Sequence, residues 1–218
     1  MTTSTEAVGG LLSQVEDFEA VYSNADGDPS CIPWAKNRPD PALVNWLNNV
    51  APSLIRSGAR VMVIGCGLGN DAQALIHRGY DVTAFDCSET AVNWARRLDP
   101  SNHQCYHVAD LFDLPLRWRH RFDLVVEIKT LQSILPERRH EAMLSIAKLL
   151  SRHGQLLIVC KGIDAGQSLE DGPPWPLSRD DLLQAASSAD LVMSGDIAEF
   201  LDDDQPPVHR IRALFKRG

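Results

Sequence analysis

From Arg60 to Gly65 the chain reads RVMVIG, a short apolar run of the kind that forms a strand covered on both faces. Similar runs return at Asp81–Phe85 (DVTAF), Phe122–Glu127 (FDLVVE) and Gln155–Cys160 (QLLIVC), with a shorter candidate over Gln104–Val108. Between them the apolar period changes to three and four, which predicts helices over Asp71–Arg78 and Glu89–Arg97. A longer helix before QLLIVC has Ala142, Met143, Ile146, Leu149 and Leu150 as its buried stripe, and Gly154 ends that approach with a turn. Upstream, Leu43, Trp46, Leu47, Val50 and Leu54 predict one helix, started by Asp40 as N-cap and Pro41 in its first turn. A polar loop over Asp164–Arg179, a helix over Asp180–Ser188 and strand-like pieces at Leu191–Met193 and Arg210–Phe215 complete the chain. The last piece places Ile211, Ala213 and Phe215 opposite Arg210, Arg212 and Leu214, a pattern suited to the edge of a sheet. Strand–helix alternation of this kind predicts an α/β, doubly wound, mainly parallel sheet with helices on both faces.

Composition narrows the function. The 218 residues carry 21 Lys plus Arg against 29 Asp plus Glu, a formal net charge of −8. That balance repels phosphate backbones and anionic lipid, so neither nucleic acid nor membrane is an expected partner. No apolar run reaches the roughly 20 residues of a membrane span, and MTTSTEAVGG has no features of a signal peptide, so the expected location is cytoplasmic. Cys31, Cys66, Cys87, Cys105 and Cys160 are odd in number and form no CxxC pair, which suggests neither a disulfide framework nor a metal site. No internal repeat or linker divides the chain, and a single domain over residues 1–218 is expected.

The sharpest local signal is Val61-Met62-Val63-Ile64-Gly65-Cys66-Gly67-Leu68-Gly69-Asn70-Asp71, a strand running through three alternating glycines into a helix. Glycines there allow a tight turn and close approach of a ligand to the backbone. The next strand ends at Asp86, whose carboxylate can accept both ribose hydroxyls of an adenosine. A dinucleotide site calls for G-x-G-x-x-G with pyrophosphate on the helix N-terminus. Here Asn70 replaces the third glycine and Asp71 follows, a carboxylate that disfavours pyrophosphate and suits a cationic amino-acid group. Asp71 is equally readable as compensation of the helix dipole.

At these residues the chain resembles the Rossmann-like methyltransferases that use S-adenosylmethionine (SAM). The resemblance covers roughly Arg60–Lys161: VIGCGLGND is similar to the first motif of that family and DVTAFD to its ribose-binding acid. His107-Val108-Ala109-Asp110-Leu111-Phe112 is similar to the stretch that meets adenine, FDLVVE to the fourth motif and HGQLLIVC to the fifth strand. It implies a seven-stranded sheet with the last strand antiparallel, and SAM as cofactor with S-adenosylhomocysteine as product. Upstream, Pro33-Trp34 followed by Pro39, Pro41 and Leu43 resembles a segment of the thiopurine, thiol and halide methyltransferases. In that group residues corresponding to 1–40 cover the cofactor, and an aromatic ring near the sulfonium gives cation–π attraction. The cofactor candidates are therefore Trp34, Gly65, Cys66, Gly67, Asn70, Asp71, Asp86, Cys87, Asp110, Leu111 and Glu127. The group has an acid followed by arginine after the fourth strand, whereas Glu127 is followed by Ile128 and Lys129, a departure on the acceptor side.

For the acceptor, a small molecule, the candidates are Lys129, Lys161 and Trp175, the last in the stiff segment Gly172-Pro173-Pro174-Trp175-Pro176. No histidine–acid pair stands out as a general base, so no catalytic residue is assigned, and this favours an easily ionised acceptor such as a thiol. The alternatives are O- or N-methylation of a small molecule, a SAM-binding protein without catalysis, and a nicotinamide-dependent oxidoreductase, against which Asn70 and Asp71 count. The oligomeric state is not readable.

Overall fold

A computed structural model describes residues 15–163 and 173–218. The elements are α1 (15–24), α2 (Pro41–Asn49), α3 (Ala51–Leu54), β1 (Arg60–Ile64), α4 (Asn70–Ile76), β2 (Asp81–Asp86) and α5 (Glu89–Leu98). They continue as β3 (Tyr106–Val108), β4 (Phe122–Ile128), α6 (Arg139–Ala147), β5 (Leu150–Lys161), α7 (Arg179–Ser187), β6 (Leu191–Met193), β7 (Ala198–Leu201) and β8 (His209–Arg217). The strands form one sheet in the order β3-β2-β1-β4-β5-β8-β6, with β7 also paired to β8. The five strands β1 to β5 run parallel, and β8 is antiparallel to β5.

Alternation along β1 sorts the core into two layers. Val61 and Val63 face Leu43, Trp46 and Leu47 of α2, Ala72 and Leu75 of α4 and Val92 of α5. Met62 and Ile64 face the other way, toward Met143 and Ile146 of α6 and Leu182 of α7. Both layers are fully apolar at the centre, as a parallel sheet covered on two faces requires. The chain reverses direction across the sheet between β1 and β4, so a crevice opens at the carboxyl ends of those two strands.

The sheet has eight strands where seven were expected. Ala198–Leu201 and Leu191–Met193 share one edge of β8, against His209–Arg212 and Phe215–Arg217 respectively. β7 alternates half-buried and exposed residues, a short edge strand with little apolar signal. The single helix expected from Pro41 to Leu54 is two, because Pro52 has no N–H and its ring would clash with the carbonyl four residues back. Leu150 belongs to β5 and not to the helical stripe, while Gln104 and Cys105 lie in a 3-10 turn ahead of β3.

Candidate functional site

The glycine loop is held open by its neighbours. Gly65 and Gly67 have φ of 59° and 49°, a left-handed conformation that L side chains rarely adopt. A Cβ on Gly65 would collide with Thr130 Oγ1, and one on Gly67 would meet Tyr22 Oη at 2.9 Å. Cys66 N donates to Phe85 O (2.9 Å) and Gly67 N to Asp86 Oδ2 (2.8 Å), which lock the loop to the end of β2. Asp86 Oδ1 accepts from Ser88 N (3.0 Å). Burial pushes the Asp86 carboxyl above its ordinary value, against the lowering effect of those N–H groups.

The N-terminal segment lies across this loop. Phe18, Tyr22 and Trp34 pack edge to face, with centroids 5.7 and 5.8 Å from Trp34, and Trp34 Nε1 donates to Tyr22 Oη (2.9 Å). Glu19 ties α1 to the start of α5: it accepts from Ser88 Oγ (2.7 Å), Thr90 N (3.2 Å) and Thr90 Oγ1. Burial works to raise its pKa, yet the hydrogen bonds from Ser88 and Thr90 hold Glu19 below the ordinary carboxyl value. Farther on, Asp40 caps α2 through Ala42 N (2.9 Å) and pairs with Lys129 Nζ (2.7 Å). Its own backbone N donates to Asp71 Oδ1 (2.7 Å). Burial pushes Asp71 up to about 6, and the Asp40 charge adds to the rise while Lys129 and the Asp40 N–H oppose it.

These segments enclose a cavity of about 320 Å³ at the carboxyl ends of β1, β2 and β4. One half is built from the glycine loop, Asp71, Phe85, Asp86, Asp110 and Leu111. The other half takes Phe112, Thr130, Gln132, Ser133, Ile134, Pro173 and Pro174, with Lys36 and Arg38 from the N-terminal segment. Its wall after β4 is a one-turn 3-10 helix, Leu131–Ser133, set from below by Glu127. Glu127 Oε1 accepts from Thr130 N (2.6 Å) and Leu131 N (2.9 Å).

Of the expected residues, the fold brings Trp34, Gly65, Cys66, Gly67, Asn70, Asp71, Asp86, Cys87, Asp110, Leu111 and Lys129 to the cavity lining. Three others are not in the lining. Glu127 is completely buried beneath the turn it caps, where desolvation raises its pKa to about 7. Lys161 sits at the end of β5, and its backbone N donates to Gln132 Oε1 (2.6 Å). Trp175 is fixed through its backbone, its N to Gln132 O (2.7 Å) and its O from Arg139 Nη2 (2.9 Å), so that Pro173 and Pro174 line the cavity instead. Gly172 and the loop 164–171 lie outside the described residues. Lys129 is paired to Asp40, so its charge closes the N-terminal segment over β4. Tyr22, Thr130, Gln132 and Ile134 escaped sequence reasoning, and Phe112 entered it only as the end of the stretch similar to the one that meets adenine. The apolar period of α1 could have found Tyr22; nothing in TLQSI marks the polar residues that turn inward.

The donor set fits SAM. Asp86 lines the cavity beside the apolar Phe85 and Leu111, as a ribose and an adenine ring require, and the Asp71 carboxylate suits an ammonium group. In the first turn of the seven-residue α4, that same carboxylate is unsuited to a pyrophosphate.

Fold and site thus define a class, and comparison with known proteins agrees with it. Residues 62–158 match a family model described as a methyltransferase domain. Thiocyanate methyltransferase 1 of Brassica oleracea is 26% identical over 148 residues, covering 67% of this chain and 62% of its own length. The chain thus spans about three fifths of that curated relative. Among solved structures, the Burkholderia thailandensis 1,6-didemethyltoxoflavin-N1-methyltransferase, with S-adenosylhomocysteine bound, has a TM-score of 0.76 at 18% identity over 100% of this chain and 92% of that one. A chain solved for the conversion of a disulfide bond into a thioacetal group in echinomycin biosynthesis has a TM-score of 0.74 at 24% identity, covering 94% and 91%. Residues 62–158 are thus similar to a methyltransferase domain, the chain is similar in sequence to thiocyanate methyltransferases, and its fold is the Rossmann-like one of SAM-dependent methyltransferases.

Proposed function

We propose that this protein transfers the methyl group of SAM to a small molecule, at the sulfur of a thiol. The observation that carries the reading is one cavity that joins the carboxylates behind the glycine loop to a second set of walls, with Phe112, Ile134, Pro173 and Pro174 among them, and no histidine among the described residues of its lining. When bound, SAM supplies a methyl group on a cationic sulfonium, which loses its charge as the bond to carbon breaks. Asp86 would accept the ribose hydroxyls, Asp71 would pair with the ammonium, and Leu111 and Phe85 would flank the adenine. Phe18, Tyr22 and Trp34 form a cover that excludes water from the reacting centre. Holding two reactants in line in such a site lowers the barrier by up to about 7–11 kcal/mol in favourable cases. A thiol ionises near pH 8.5 and needs little help from a base, which suits a lining without an evident one. The thiocyanate methyltransferase relative and the disulfide chemistry of a structural neighbour support sulfur.

The test is thermal stability with SAM, S-adenosylhomocysteine and NAD(H) in parallel, followed by a panel of thiols, phenols and amines. A ligand at 100 times its Kd adds about 2.7 kcal/mol, or very roughly 5–10 °C for a chain of this size. The expected result is a shift with both adenosyl ligands and none with NAD(H), then methylation of thiols ahead of phenols and amines. A shift with NAD(H) alone refutes the cofactor; tight SAM binding with no product across the panel refutes catalysis.

A further inference from the structure

Gln132 lines the cavity beside Ile134, Pro173 and Pro174, and it is a polar residue that is only 6% exposed. Its carboxamide orientation is decided by its neighbour: Lys161 N can only donate, so the atom it meets at 2.6 Å is Oε1. The NH2 group therefore points away from β5, and it meets no partner among the described residues. The rest of the residue is pinned. Its carbonyl accepts from Trp175 N (2.7 Å), Glu127 holds the turn from below, and Arg139 Nε donates to Leu131 O (3.2 Å). The NH2 group is not among the fully buried unpartnered polar atoms of the described residues, so it keeps access to the cavity that Gln132 lines. Here it is rigidly presented at a ligand cavity, beside the apolar Phe112, Ile134, Pro173 and Pro174, the arrangement that lets a site fix orientation with a few placed polar groups.

Resting on the methyl-transfer reading, we infer that the Gln132 NH2 group is the donor that selects the methyl acceptor, and that the acceptor carries a hydrogen-bond-accepting oxygen or nitrogen on an otherwise apolar body. Ile134, Phe112, Pro173 and Pro174 supply the walls for that body. A site built around such a donor rejects analogues that lack the matching atom, because the donor is then left buried and unpaired.

The test uses matched thiols: the ortho, meta and para acetylthiophenols, the isopropylthiophenols of the same shape, and the aminothiophenols. Q132E keeps the oxygen that Lys161 N needs but replaces the donor by an acceptor; Q132M removes both. Each protein is assayed for kcat/KM with SAM and for thiol Kd when loaded with S-adenosylhomocysteine. Wild type should prefer an acetyl isomer over its isopropyl match by roughly tenfold or more. Q132M should erase that preference, and Q132E should turn it toward the aminothiophenol, with S-adenosylhomocysteine affinity of Q132E unchanged. Equal preference for the pairs in wild type, an unchanged preference in Q132E, or a uniform loss for all thiols overturns the inference. If the Kd values show the switch but sulfur is not methylated, Gln132 keeps its role and the thiol reading falls.

Discussion

Asp71 is buried against the N-terminal segment, and one of its oxygens holds the backbone N–H of Asp40. Its pKa of about 6 lies above the ordinary carboxyl value of 3.8, so the folded protein holds this proton more tightly than the unfolded chain. The stability it contributes is complete at acid pH and is lost as pH rises through 4 to 6. Ligand binding has the opposite sign, since an ammonium group pairs with the ionised form. The Kd for S-adenosylhomocysteine should therefore tighten by roughly tenfold between pH 5 and pH 7, following the ionised fraction. Calorimetric titration across that range checks this, and Asp71→Asn should flatten the curve; an unchanged pH dependence in the variant removes Asp71 from the cofactor site. The same residue shows what local reading can reach. That a carboxylate follows the glycines is evident along the chain, whereas its bond to Asp40 joins residues 31 apart and depends on the fold.

At the scale of the element, the turn Leu131–Ser133 is too short to hold itself and depends on Glu127. The groups facing Glu127 are Arg139 from α6 and Cys160 from β5; the thiol of Cys160 is itself pushed up by burial. With a folded pKa of about 7 against an ordinary 4.5, Glu127 costs stability as pH rises from about 4.5 to 7, on the order of 3 kcal/mol. Glu127→Gln keeps an oxygen for Thr130 N and Leu131 N and removes the charge. Its Tm relative to wild type should be several degrees more favourable at pH 8 than at pH 5, measured by calorimetry. A constant difference across that range would mean that burial does not raise this carboxyl above its unfolded value. Sequence placed Glu127 correctly at the end of β4 and expected it at the cofactor. The fold buries it below the turn that forms the wall, outside the cavity lining.

Over the whole molecule, the cover is held to the far end of the chain. Lys36 pairs with Asp204 and Arg38 with Asp203 (2.9 Å), joining the N-terminal segment to the loop between β7 and β8. Asp202 and Asp204 are in turn anchored by Arg210, at 2.7 and 3.5 Å. Exposed pairs of this kind contribute at most about 1 kcal/mol each and are screened by salt. Asp203→Asn with Asp204→Asn should raise KM for SAM by at most about thirtyfold at low salt. The difference should vanish near 1 M salt, where the Debye length is about 3 Å. A salt-independent rise would assign these aspartates to folding and not to closure. Among the described residues no helix is long and apolar enough to cross a membrane.

The sequence alone determined the strand–helix alternation, the glycine loop, the acid at the end of β2 and the class of ligand they suit, because these depend on residues close together in the chain and on apolar periods that burial enforces. It could not determine the edge strand Ala198–Leu201, whose partner β8 supplies the hydrogen bonds that its weak pattern lacks. Nor could it assign the acceptor half. Lysines at strand ends and a tryptophan between prolines look like ligand groups in one dimension, yet Trp175 and Lys161 use their backbones to orient Gln132. Which side chain faces a cavity is decided by contacts between segments tens of residues apart, and only the packed fold brings those segments together.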